Sequence, residues 1–243
     1  TGANLANRDL LYLGVSGDGD SASIGLGQFA NAMRRGVKMA YIVENNGVYG
    51  LTKGQFSATA DRGSKSKKGV TNTDSPIDLV GLALQLGATY VARAFSGDKE
   101  QLVPLIKGAI GHGGAAFIDV ISPCVAFNNH NGSTKSYDYV RQHNESVSRI
   151  DFMPQRSEIT AEYASGDVIE VEQHDGTFLR LRKVDTSYDP SKRYEALSYM
   201  NDHHERGEIV TGLLYLDPLA LDLHASLNTS HLPLNSMQEK ELC

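Results

Sequence analysis

The sequence predicts an α/β fold built on a doubly wound, mostly parallel sheet. Two observations carry this. Short apolar runs alternate with amphipathic segments from Leu10 to Ile121, the order that lays helices against both faces of a parallel sheet. The runs themselves, such as Leu10–Ser16 (LLYLGVS), lack the every-second-residue polarity of a half-exposed strand. Strands buried on both faces read this way.

Taken in order, Leu10–Ser16 is the first strand and ends in Gly17-Asp18-Gly19. Ser21–Arg35 places Ile24, Leu26, Phe29, Ala30 and Met33 near helical spacing, with Asp20 or Ser21 positioned to cap it. Val37–Glu44 is the second strand and stops at Asn45-Asn46. The next stretch, Thr52–Ser75, is polar, aperiodic and rich in Gly, Ser, Thr and Lys. A connection that long predicts a lid or plug rather than a passive loop. Ser75-Pro76-Ile77-Asp78 opens a helix with Pro in its first turn, and its apolar stripe runs through Leu79, Val80, Leu82, Ala83 and Leu86. Gly87 stops it. Ala88–Ala94, Asp98–Gly111 and Ala115–Ile121 then read as strand, helix and strand.

Composition shifts after Pro154, which divides residues 1–154 from a C-terminal extension over 155–243. In the extension, Val168–Glu172 and Phe178–Arg182 predict a β-hairpin turned on His174-Asp175-Gly176. Helix Ser191–Arg206 and strand Ile209–Leu216 follow. The aperiodic Asp217–Cys243 is expected to drape over a neighbour.

The chain has 243 residues, 40% hydrophobic and 21% charged, the profile of a globular protein with a real core. A net charge of −6 argues against nucleic acid as a partner, because phosphate neutralisation needs a basic face. No apolar run approaches the roughly 18 residues that suggest a membrane span, and no secretory signal opens the chain. Two cysteines give no disulfide framework, so a cytoplasmic, reducing location is expected. The chain starts at Thr1, close to its first core strand, from which we expect an N-terminal portion of a longer protein upstream.

Asp18 and Asn46 are separated by one loop, one helix and one returning strand. That unit delivers both to one edge of a parallel sheet, where ligands of open α/β folds bind. A carboxylate, an amide oxygen and the main-chain carbonyl of Val48 are hard oxygen ligands suited to Mg²⁺, which completes its octahedron with water and phosphate. Gly17 and Gly19 would let the backbone turn tightly and approach a phosphate, and Gly50-Leu51 would pass its far side. Either turn alone is a common one; both at this spacing, each after a strand, point to a metal–diphosphate site. A dinucleotide fingerprint is absent, since Ala22 stands where a third glycine belongs.

The wider text narrows this. Val15-Ser16-Gly17-Asp18-Gly19-Asp20 with Ile24-Gly25, followed by Asn45-Asn46-Gly47-Val48-Tyr49-Gly50-Leu51-Thr52-Lys53-Gly54-Gln55, resembles the thiamine-diphosphate-binding β subunit of 2-oxoacid:ferredoxin oxidoreductases. Ser122-Pro123-Cys124-Val125-Ala126-Phe127-Asn128 matches a second segment of that family. His174-Asp175-Gly176, Tyr188-Asp189-Pro190 and Gly207–Tyr215 (GEIVTGLLY) match a C-terminal region typical of its 2-oxoglutarate type.

The resemblance implies Asp18, Asn46 and Val48 as Mg²⁺ ligands, and Gly17, Gly19, Asp20, Gly50 and Leu51 around thiamine diphosphate. It makes Cys124 one thiolate of a [4Fe–4S] cluster whose other three ligands lie in a family segment absent from this sequence. It also implies oxidative decarboxylation of 2-oxoglutarate, with the acyl group passed to coenzyme A and electrons to ferredoxin. The activating glutamate would sit in a partner α subunit, without which this chain is inactive. Pyruvate or a broad 2-oxoacid range stays open, as do a non-oxidative thiamine-diphosphate decarboxylase or carboligase and a binding-only fragment.

Lys53, at the mouth of the predicted site, reads either as the catalytic cation for a 2-oxoacid carboxylate or as a solvated lysine. Lys65, Lys67 and Lys68 read as a solvated loop tip. His203 and His204 point about 100° apart on a helix and cannot chelate together, so both are expected at the surface. His112 falls at a helix C-terminus, where the dipole suits it.

Overall fold

The computed structural model describes residues 1–66, 68–148, 150, 168–172, 178–182 and 188–237. Helix α1 (Gly2–Ala6) precedes β1 (Leu13–Gly17), a π-helical turn (Gly19–Ile24), α2 (Leu26–Arg34) and β2 (Met39–Asn45). The short strands β3 (Val48–Tyr49) and β4 (Gln55–Phe56) follow, then α3 (Leu79–Leu86), β5 (Tyr90–Phe95), α4 (Lys99–Gly111) and β6 (Ala115–Ile121). Next come α5 (Tyr137–His143), β7 (Asn144–Ser146), β8 (Val168–Glu172), β9 (Phe178–Arg182), α6 (Arg193–Glu205), β10 (Ile209–Leu216) and α7 (Leu223–Leu227).

Six strands form the main sheet in the order β1-β2-β6-β5-β10-β7. The first four run parallel, β10 is antiparallel to β5, and β7 is parallel to β10. The expected mostly parallel sheet is therefore observed. Both faces are covered because neighbouring residues of each central strand feed opposite cores. Val91, Phe117 and Leu214 pack with Phe29, Met33, Leu79, Leu84 and Met200 under α2, α3 and α6. Ala92, Ile118 and Leu213 pack with Leu105 and Ala109 of α4 on the other face. Phe29 meets Phe117 edge-on, with ring centroids 5.1 Å apart. Truncating either ring to Ala would cost about 3–5 kcal/mol.

Two local expectations need correction. Helix α2 is not capped by Asp20 or Ser21. The chain enters it through a π turn closed by Gly25 N–H donating to the Asp20 carbonyl at 2.6 Å, and the Ser21 hydroxyl is engaged with Tyr41 at 2.9 Å. Helix α3 does not start at Pro76. Its cap is Asp78, whose carboxylate accepts from Val80 N–H at 3.1 Å, while Ile77 N–H is held by the Ala58 carbonyl at 2.7 Å in the lead-in. The described part of the C-terminal stretch is tied to this chain at two points. Asp217 N–H donates to Thr89 O at 2.8 Å and Leu223 N–H to Gly36 O at 2.9 Å.

Strands β8 and β9 pair antiparallel from Val168↔Arg182 to Glu172↔Phe178, as the hairpin requires. Its expected turn (173–177), the composition boundary at Pro154, Lys67 and Cys243 lie outside the described residues. Strand β10, from the C-terminal part of the chain, sits inside the main sheet between β5 and β7. Among the described residues no helix is long and apolar enough to cross a membrane.

Candidate metal and cofactor site

Because β1, β2 and β6 are parallel, their carboxyl ends share one sheet edge. Gly17 closes β1 opposite Glu44, and Asn45 closes β2 opposite Ile121. Asp18 therefore emerges beside the Asn45-Asn46-Gly47 turn. Its side chain is buried, with 1% of the residue exposed. Oδ2 accepts from Gly47 N–H at 3.0 Å, and Oδ1 faces Asn46 N–H at 3.5 Å. The two predicted ligand positions are thus brought together.

Asn46 Oδ1 accepts from Val48 N–H at 3.0 Å. In β3 the carbonyls of Gly47 and Tyr49 face β4, accepting from Ser57 N–H at 3.2 Å and Gly54 N–H at 2.9 Å. Adjacent strand residues direct their polar groups to opposite sides, so the Val48 carbonyl is turned away from β4. A buried carboxylate, an amide oxygen and a main-chain oxygen now share one edge. This donor set fits a hard divalent cation.

The glycines act differently from expectation. Neither Gly17 nor Gly19 has positive φ, and a Cβ on Gly17 would have room, with its nearest neighbour Asp20 Oδ2 3.8 Å away. Gly19 is required by close approach: a Cβ there would lie 2.3 Å from Tyr49 Cε1. The Tyr49 hydroxyl donates to the Gly19 carbonyl at 3.0 Å and lays β3 across the turn. The residue that needs a left-handed backbone is Gly47, with φ +77°. A side chain on it would also strike Asn128 Nδ2 at 2.9 Å.

Sequence reasoning missed several site residues. Ser57 and Thr59, in the stretch read as a lid or plug, are buried against Asp18. The Ser57 hydroxyl bonds Asp18 Oδ2, and the Thr59 hydroxyl reaches the same oxygen at 2.5 Å. Thr59 Oγ1 lies 2.9 Å from Asn45 Oδ1, and Asn45 Nδ2 donates to Asp119 Oδ1 at 3.0 Å. Asp119 Oδ2 takes Arg93 Nε at 2.9 Å, and Arg93 Nη2 reaches the helix cap Asp78 at 2.5 Å. A continuous polar chain thus runs from Asp18 to the start of α3. Burial pushes the Arg93 pKa down, but Asp78 and Asp119 outweigh it and hold the guanidinium charged. Burial raises the Asp119 pKa against the opposing pull of Arg93 and Asn45. A charge inside each of two apolar strands, V-A-R-A-F and F-I-D-V-I, was the legible signal.

A second polar anchor stands beside it. Asp61 accepts from Lys135 Nζ at 3.1 Å and from Thr134 N–H and Oγ1 at 2.9 and 2.7 Å. Burial pushes the Asp61 carboxyl up, but Lys135 and Thr134 together bring it below its usual value.

Gly50, Leu51 and Lys53 occupy the exposed tip joining β3 to β4. Leu51 is 99% exposed, and Lys53 holds an unusual left-handed backbone, φ +73°. Asp20 is exposed within the π turn. Cys124 lies on the loop after β6, partly exposed. That loop is tied to the site by Asn128 Nδ2, which donates to the Asn46 carbonyl at 2.8 Å. Cys124 is the one free cysteine among the described residues, and these hold no cluster of three or more metal-ligating His, Cys, Asp or Glu side chains. They do not by themselves fit a four-thiolate iron–sulfur cluster.

Of the histidines expected at the surface, His204 is exposed but His203 is buried, with Nδ1 2.6 Å from Glu208 Oε2. The Tyr199 ring covers it at 4.2 Å between centroids. His112 bonds Thr89 Oγ1 through Nε2 at 2.8 Å, and burial lowers its pKa against the pull of Asp217. Lys65 and Lys68 are exposed.

Comparison with known proteins places the fold. Residues 1–120 match the family described as thiamine pyrophosphate enzyme, C-terminal TPP binding domain. The fold is that of a thiamine-pyrophosphate-binding domain. The chain belongs to the 2-oxoacid:ferredoxin oxidoreductase β-subunit family. It is 42% identical over 155 residues to the 2-oxoacid:ferredoxin oxidoreductase subunit beta of Sulfolobus sp, covering 63% of this chain and 48% of the relative. It is 33% identical over 177 residues to the 2-oxoglutarate synthase subunit KorB of Methanocaldococcus jannaschii, covering 71% and 66%. A solved structure of 2-oxoglutarate:ferredoxin oxidoreductase from Magnetococcus marinus, with 2-oxoglutarate, coenzyme A and succinyl-CoA bound, superposes with a TM-score of 0.71. Identity there is 28%, covering 99% of this chain and 69% of the other. The chain spans about half the length of the curated relatives it matches first, 48% and 44% for two of them.

Proposed function

We propose that this chain binds thiamine diphosphate through Mg²⁺ and works as the β subunit of a 2-oxoglutarate:ferredoxin oxidoreductase. The observation that carries the reading is the meeting of Asp18 with the Asn46-Gly47 turn, Oδ2 to Gly47 N–H at 3.0 Å. Asp18, Asn46 and the Val48 carbonyl would hold the ion, and Gly17, Gly19, Asp20, Gly50 and Leu51 would line the cofactor. Thiamine diphosphate, when bound, supplies the nucleophilic carbon and electron sink that decarboxylation of a 2-oxoacid needs. This chain's own task is positioning: the buried Asp18 and the main chain of β3 fix the diphosphate end. Lys53 would present its ammonium to the distal carboxylate of the substrate.

The partners of this reading are an α subunit carrying the activating glutamate, coenzyme A as acyl acceptor and ferredoxin as electron acceptor. Cys124 would contribute one thiolate to a [4Fe–4S] cluster, with three more from outside the described residues. Residues 1–154 form the cofactor-binding part and 155–243 the extension. A free thiol and an acidic chain are consistent with a cytoplasmic location.

The substrate choice is supported by the names of the relatives from Methanocaldococcus jannaschii and Archaeoglobus fulgidus, both 2-oxoglutarate synthase subunits. The broader name of the Sulfolobus relative favours a second reading, a wider 2-oxoacid range. Two measurements test the proposal, one for the site and one for the substrate. Calorimetric titration with thiamine diphosphate should give binding with Mg²⁺ and none with EDTA; binding indifferent to EDTA contradicts the site. Turnover by the complex reconstituted with its α subunit should favour 2-oxoglutarate over pyruvate, and equal rates would select the wider range.

A further inference from the structure

We infer that Ser57 and Thr59 select the metal ion, by leaving Asp18 a single oxygen with which to bind it. This rests on the reading of the site as a metal–diphosphate site, and it adds residues that the ligand motif does not contain. The Asp18 carboxylate is unevenly satisfied. Oδ2 takes three donors: Gly47 N–H at 3.0 Å, the Ser57 hydroxyl, and the Thr59 hydroxyl at 2.5 Å. A carboxylate oxygen offers about two lone-pair sites, so Oδ2 is filled. Oδ1 meets one donor, Asn46 N–H, at the long distance of 3.5 Å.

Neither hydroxyl is free to leave. Thr59 gives its single hydroxyl proton to Asp18 and is held by its own N–H, which donates to Ser57 Oγ at 3.3 Å. Ser57 is pinned by its own N–H on the Gly47 carbonyl at 3.2 Å, and its hydroxyl lies 3.0 Å from that of Thr59. Asp18 cannot rotate to offer both oxygens without breaking this arrangement. It is a one-oxygen ligand. Ca²⁺ takes about 6–8 oxygens and often grips a carboxylate with both, whereas Mg²⁺ demands a compact octahedron and binds through few protein oxygens. With one oxygen each from Asp18, Asn46 and Val48, the site favours the smaller ion. Ser57 and Thr59 are positioning residues for that selectivity.

The test is calorimetric titration of the full chain with thiamine diphosphate, in Mg²⁺ alone and in Ca²⁺ alone. Ser57→Ala combined with Thr59→Val, which leaves Oδ2 only the Gly47 N–H, should weaken Mg²⁺-supported binding about tenfold, the usual scale for losing an outer-shell partner, and leave Ca²⁺-supported binding nearly unchanged. The Mg²⁺/Ca²⁺ affinity ratio should therefore fall by roughly that factor. Ser57→Ala with Thr59→Ala adds no bulk and should move the ratio the same way, which keeps the test valid where the valine variant folds poorly. Thr59→Ser, which keeps the hydroxyl, should preserve the ratio. An unchanged ratio in both double variants overturns the inference alone, as does Thr59→Ser shifting it as far as they do. Failure of the unaltered chain to bind thiamine diphosphate with either ion overturns the site reading and this inference together.

Discussion

Asp18 Oδ2 accepts the Gly47 amide at 3.0 Å, which makes the turn after β1 and the turn after β2 a single unit. Any change at one is felt at the other. Asn46 and Val48 are held next to a buried carboxylate, and the backbone of β3 is set by the same contact. Asp18→Asn keeps the volume and removes the charge. It should abolish Mg²⁺-supported thiamine diphosphate binding while leaving the far-ultraviolet circular dichroism unchanged; retained binding would show that the carboxylate is not a ligand.

Arg93 is the counter-ion of a buried carboxylate. Arg93→Met leaves Asp119, 1% exposed, without its cation. Removing one partner of such a pair costs about 3–5 kcal/mol. Urea denaturation should report that loss, and adding Asp119→Asn should recover a substantial part of it. A loss below about 1 kcal/mol, the value of a surface pair, would mean that the pair is solvated.

Asp61 gives the fold a pH dependence of known sign. Its carboxyl, pushed up by burial but pulled further down by Lys135 and Thr134, titrates in the folded state below the usual aspartate value. A depressed carboxylate stabilises above its unfolded pKa, and that contribution is lost as pH falls through the folded value. Lys135→Met should therefore be less stable than the unaltered chain by ~3 kcal/mol at neutral pH. The gap should narrow as pH drops below 3.8. Denaturation curves between pH 3 and pH 7 check this, and a gap constant over that range contradicts it.

Gly19 is needed for the Tyr49 ring. Gly19→Ala sets a methyl 2.3 Å from Cε1 and should destabilise by about 1–3 kcal/mol, as overpacking does. Gly19→Ala with Tyr49→Ala should cost less than the two single changes added together. Strict additivity in that double-mutant cycle would show that the contact is not the cause.

Lys53 is held where lysine is strained, at φ +73°. Lys53→Gly should relieve about 1 kcal/mol of left-handed backbone cost, raising the melting temperature. If the lysine serves the substrate, the same variant should lose preference for 2-oxoglutarate over pyruvate in the reconstituted complex. A stabilised variant with unchanged preference would assign Lys53 no role in selection.

Local signals carried most of the architecture. Ala115–Ile121 and Ile209–Leu216 fall where their apolar runs end, and Gly87 stops α3 with φ +94°. Asp18 and Asn46 were legible because one strand–helix–strand unit dictates where both emerge. Their support was not. Ser57 and Thr59 meet Asp18 across about forty residues of chain, a contact set by tertiary packing alone. The Arg93–Asp119 pair becomes visible only through the β5–β6 register that sets the two residues side by side. His203 read as exposed because its partner Glu208 lies beyond the end of its helix.

The most direct test of the account replaces Mg²⁺ with Mn²⁺, which accepts the same oxygen ligands. Electron–nuclear double resonance is then recorded on the complex with thiamine diphosphate. The account predicts a ³¹P coupling from the diphosphate in the unaltered chain and its loss in Asp18→Asn. No phosphorus coupling in the unaltered chain, or one that survives Asp18→Asn undiminished, would contradict it.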